Sequence, residues 1–169
     1  MSVYLGKQRQ HATAQITATH GTVLQIFRRV EGLGHKIFMD NYLISPALFG
    51  DLFQQTISAC GTVRHDKCGM PRDIGAKYLK MKRGDIATRI RGTLRAVWWK
   101  DRRDVYILSN MYAPPVEGNF TQISGQAIKP RVVEGYNAYM GFMDKSDRMV
   151  NSYGIASRTW KWTKNLFFT

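Results

Sequence analysis

Three aspartates stand where their neighbours give a carboxylate no obvious structural role. Asp40 ends the apolar run IFM in GHKIFMDNYLISPALFGDLF (34–53), just before a turn and Ser45-Pro46. A charge closing a buried strand costs free energy unless something outside the core uses it. Asp144 and Asp147 lie three apart in YNAYMGFMDKSDRMV, so on a helix they share one face. Carboxylates that close repel each other unless a cation or water separates them, and hard divalent cations take oxygen ligands. The plainer account is an exposed acidic first turn favoured by the helix dipole. The residues alone leave both open.

The cations form a second group. From Lys77 to Arg103 there are ten Lys and Arg against two acidic residues, including Arg89, Arg91, Arg95, Arg102 and Arg103. Near the end of the chain, SRTWKWTKNLFFT interleaves Arg158, Lys161 and Lys164 with Trp160 and Trp162. Such stretches suit a phosphate backbone. A solvated basic face, with Trp98 and Trp99 packing on opposite sides of a sheet, accounts for the first stretch equally well.

Positioning these residues requires an α/β arrangement. Val23, Ile26, Phe27 and Val30 fall at helical spacing, which predicts a helix over 21–33 ending near Gly32 and Gly34. HKIFMD (35–40) reads as a short buried strand. Ser45 caps the next helix and Pro46 opens it, since proline lacks an N–H that would be unpaired there anyway. Leu48, Phe49, Leu52 and Phe53 form its apolar stripe, with Ile57 one turn on. ACGTVR (59–64) is a second strand. Parallel strands joined by a helix place their carboxyl ends on one edge, where ligands bind in open α/β sheets. From about 65 to 130, near-alternation in DIATRIRGTLRAVWWKDRRDVYILSNMY predicts two or three antiparallel strands, with a polar turn at 100–103. APPVEGN (113–119) is a loop, and a helix is expected from about Tyr139. The parts are thus 1–64, 65–130 and 131–169.

Bulk properties bound the possibilities. With 169 residues, 44% of them hydrophobic, the chain can bury one ordinary core. No apolar run approaches the roughly 20 residues of a membrane span, so no membrane partner is expected. Cys60 and Cys68 are too few for a disulfide framework and lack zinc-site spacing; an intracellular, reducing compartment fits. No glycine-rich loop has phosphate-binding spacing, and His11, His20, His35 and His65 show no ligand spacing. The formal charge of +13 favours polyanions, and nucleic acid is the commonest inside cells.

GHKIFMDNYLISPALFGDLF, GTVRHDK with Pro71, GTLRAVWWKDRRDVYILSN, YNAYMGFMDKSDRM and SRTWKWTKNLFF occur in the order and spacing of the piggyBac family of DNA transposases and their domesticated derivatives. The resemblance covers the chain from about Val3 to Phe168. It implies a ribonuclease-H-like catalytic core interrupted by a β-rich insertion, acting on DNA in the nucleus through dimers. Three aspartates in that family bind two divalent ions, usually Mg²⁺, about 4 Å apart. Asp40 matches the second aspartate, Asp144 the third, and Asp147 the accompanying acid.

This chain also departs from the family pattern. The family's first aspartate lies upstream of the segment with which this chain begins, and Asp51, Asp66 and Asp73 are not placed to replace it. Phe142 and Met143 stand where the family has Gly and Val, and Ile44 replaces Thr. The resemblance therefore implies a partial core, without strands 1 and 2, whose Asp40 strand has a bare edge and whose fold is marginal alone. Two functions remain: a piece of a metal-dependent transposase nuclease, inactive without a further aspartate, or a non-catalytic DNA-binding relic.

Overall fold

The computed structural model describes residues 18–76, 79–122 and 124–153. Its first helix, α1 (Ala18–Phe27), continues as a 3-10 turn, Arg28–Val30, and stops at Gly32 and Gly34, both at positive φ. The expected 21–33 helix is thus shifted toward the amino end. Strand β1 (Lys36–Met39) follows, then α2 (Pro46–Gln54) and β2 (Ser58–Thr62). The Ser45 hydroxyl accepts the Leu48 N–H at 3.2 Å, the cap expected from Ser-Pro. Such a cap contributes about 1 kcal/mol. Leu48, Phe49 and Leu52 are buried, whereas Phe53 is 48% exposed and lies off the stripe.

Three long strands make up the middle of the chain: β3 (Asp85–Arg91), β4 (Leu94–Lys100) and β5 (Asp104–Ser109), with a two-residue β6 (Gly118–Asn119). They continue the sheet that β1 and β2 begin. Its order is β1-β2-β5-β4-β3-β6. The β1–β2 pair is parallel, and every other neighbouring pair is antiparallel. β1, the strand that leads into Asp40, forms one end of this mixed sheet.

Helices cover both faces. On one, Val23, Leu48, Phe49 and Leu52 pack with Ile37, Met39, Ala59, Trp98 and Leu108. On the other, Val132, Val133 and Tyr136 pack with Cys60, Val97, Trp99 and Ile107. Trp98 and Trp99 accordingly serve opposite faces, as strand alternation requires.

The last helix corrects the expected start near Tyr139. α3 runs from Arg131 to Tyr153. The Pro130 carbonyl accepts from the Val133 and Glu134 N–H groups and so starts the helix. Glycine is a poor helix former, but packing overrides its propensity at Gly135. A Cβ there would collide with the Tyr112 ring and hydroxyl, so the glycine lets α3 approach the sheet.

Candidate nuclease edge

Asp40 stands immediately after β1, exposed, at the carboxyl end of the parallel pair. Because Met39 lies opposite Gly61, Asp40 falls opposite Thr62. Thr62 Oγ1 is 3.3 Å from Asp40 Oδ1 and donates to it. Thr62 Oγ1 is also 3.2 Å from the Tyr136 hydroxyl on α3. Burial is the main cause that pushes the Tyr136 phenol up; the Asp40 charge adds to it, and the Thr62 hydrogen bond works against it.

The same helix carries Asp144 and Asp147. Tyr136 meets Thr62 at the end of β2, while Tyr139 stacks on Phe38 farther back in β1. These two contacts seat the early turns of α3 on the parallel pair. Eight residues separate Tyr136 from Asp144, about 12 Å of helix rise. Asp144 and Asp147 are exposed, and the Arg148 Nε donates to the Asp144 backbone carbonyl at 3.3 Å. The group that α3 brings to Asp40 is a phenol. Among the described residues no three His, Cys, Asp or Glu side chains come together as a metal cage. Asp40, exposed at this edge, is a hard oxygen donor of the kind a divalent cation takes, and it supplies part of the donor set that the resemblance implies.

Strand register sorts the cations. Thr62 pairs with Ile107, and Ile107 with Val97; the β4–β5 turn at 101–103 lies farther along in the same direction. Arg102 and Arg103, both exposed, therefore share the edge of Asp40. Arg91 sits at the opposite edge, in the β3–β4 turn. Arg95 is half-buried, with its Nη1 donating to the Thr93 carbonyl at 3.1 Å. Arg89 is committed internally: its Nε meets Asp73 at 2.5 Å and its Nη1 meets Glu117 at 2.9 Å. Glu117 also accepts the Thr88 N–H, so this cluster ties two loops to β3. Arg158, Lys161 and Lys164 lie outside the described residues.

Beyond β2, on the Asp40 edge, His65, Lys67, Cys68, Arg72 and Ile74 line a cavity of about 440 Å³. Sequence reasoning named Asp40 but missed Thr62 and Tyr136. The signal was present in two motif segments quoted above, Gly-Thr of GTVR and Tyr of YN.

The exposed aspartate at the carboxyl edge of the parallel strands stands where open α/β sheets bind their ligands. A family model described as Transposase IS4 matches residues 1–169, and the chain belongs to that family. Its relatives place it with piggyBac. It is 25% identical over 142 residues to human PiggyBac transposable element-derived protein 5, covering 79% of this chain and 27% of that one. It is 28% identical over 139 residues to human PiggyBac transposable element-derived protein 3, covering 78% of this chain and 23% of that one. A solved piggyBac transposase synaptic complex with hairpin DNA superposes with a TM-score of 0.76 at 25% identity, over 98% of this chain and 34% of that chain. The chain thus spans about a quarter of the length of these two human relatives.

Proposed function

We propose that this chain is part of a piggyBac-type transposase catalytic domain that handles DNA at the Asp40 edge. One observation carries the proposal: Asp40 is exposed at the carboxyl end of a parallel β1–β2 pair joined by α2, and its carboxylate is held by Thr62. In this reading the core is ribonuclease-H-like. Asp40 and Asp144 are two of its metal-ligating carboxylates, with Asp147 as accompanying acid and Mg²⁺ as the ion. Arg102 and Arg103 contact the DNA backbone beside Asp40, and the nucleus is the compartment where the substrate lies.

The second reading, a non-catalytic DNA-binding piece, draws on Arg102 and Arg103, exposed cations on this edge that can hold phosphate without any metal. Nicking of supercoiled DNA by the purified chain discriminates between them. Mg²⁺-dependent nicking that Asp40→Ala and Asp144→Ala both abolish supports the catalytic reading. DNA binding with neither nicking nor Mg²⁺ binding at Asp40 supports the second, and absence of DNA binding contradicts both.

A further inference from the structure

We infer that Thr62 and Tyr136 are positioning residues for Asp40: their hydroxyls hold its carboxylate in one orientation and tie that orientation to the seating of α3. The importance of Asp40 rests on the functional reading above; the hydrogen-bonded chain rests on distances. A threonine hydroxyl owns one proton, and an ionised carboxylate only accepts. With Thr62 donating to Asp40 Oδ1 at 3.3 Å, its oxygen is left to accept from the Tyr136 hydroxyl at 3.2 Å. The chain therefore has one direction, from Tyr136 to Thr62 to Asp40. Donation by the phenol polarises the threonine hydroxyl and strengthens its bond to the carboxylate.

Each member is fixed independently. Tyr136 is 8% exposed and belongs to the cluster of Val132, Val133 and Cys60, so its ring is held by packing. Thr62 reaches Asp40 because β1 and β2 are parallel and in register. Gly61 permits that approach, since a Cβ there would collide with the Met39 carbonyl oxygen and the Ile44 Cδ1. The exposed Asp40 is the one member whose rotamer packing does not set, so it has the most to gain from the relay. A neutral donor also leaves the charge of Asp40 unopposed for use at the edge.

The test is nuclear magnetic resonance on the full chain. Three-bond couplings from the Asp40 Cγ to its backbone N and C′ report χ1 directly. The wild type is expected to show the pattern of a single rotamer. Thr62→Val keeps the shape but removes the hydroxyl, and the single-rotamer pattern is lost. Tyr136→Phe loses it in part, and Thr62→Ser restores it. Amide spectra of β1 and β2, recorded on the same samples, report whether the strands remain paired. Couplings already averaged in the wild type overturn the inference, as do couplings unchanged in Thr62→Val with β1 and β2 intact. If Thr62→Val does not fold, Tyr136→Phe decides, and unchanged couplings there overturn the relay. Failure of the functional reading registers elsewhere, as absent DNA binding or nicking with the Asp40 couplings unaltered.

Discussion

The ring of Phe38 lies on that of Tyr139, centroids 4.1 Å apart and planes 14° from parallel. This stack, with the Tyr136 contact to Thr62, seats α3 against β1 and β2. Tyr139→Ala removes an aromatic pair contributing about 1 kcal/mol. A fall of several degrees in Tm is expected, together with faster amide exchange from 136 onward. An unchanged melt would mean that the stack does not seat the helix.

Two glycines predict opposite outcomes. At Gly61 an added methyl meets the Met39 backbone oxygen, which cannot move without breaking the parallel pair. Gly61→Ala is expected to cost more than about 2 kcal/mol. At Gly141 an added methyl meets nothing within 4 Å. Gly141→Ala is expected to stabilise α3 by about 0.5–1 kcal/mol, because glycine loses more backbone entropy in a helix than alanine. Thermal melts of the two variants check both signs.

Much of the fold was legible from local signals. Ser45-Pro46 located α2, period-two alternation located β3 to β5, and the apolar runs located β1 and β2. Asp40 was legible because a charge ending an apolar strand is costly. The start of α3 was not, because Gly135 is explained only by the Tyr112 ring, which lies in a distant loop. The internal commitment of Arg89 was hidden for the same reason: Asp73 and Glu117 are far from it in sequence. The seating of α3 on β1 depends on tertiary stacking and has no local signature.

The two thiols differ in accessibility. Cys60 is buried and Cys68 exposed. Burial pushes the Cys60 thiol from its ordinary 9.0 up to about 12, against a smaller opposing effect of the Ser109 hydrogen bond. One thiol should react with a disulfide reagent at pH 8 in the native protein, and the second only on unfolding. The folded state binds the Cys60 proton more tightly than the unfolded state does. Its contribution to stability is therefore complete below about pH 9 and is lost progressively toward pH 12. Urea melts across that window test the sign, and two native thiols reacting at equal rates would contradict the burial.

Cations on the Asp40 edge and cations locked in the fold should respond differently to substitution. Arg102→Ala and Arg103→Ala are each expected to lower the slope of log affinity against log salt by about 1, with little effect on Tm. Arg89→Ala should leave that slope unchanged and cost about 1 kcal/mol of stability, since its ion pairs are partly solvent-screened. Equal slope changes for all three would show that Arg89 exchanges its carboxylates for phosphate.

The most direct measurement is a Mn²⁺ titration of the isotope-labelled chain, with paramagnetic broadening read residue by residue. The account predicts broadening centred on Met39, Asp40 and Thr62, saturating with a single Kd and abolished by Asp40→Asn. Broadening centred on other exposed acids such as Asp66, or none around Asp40 at saturating Mn²⁺, would contradict the assignment of this edge as a metal-dependent nuclease site.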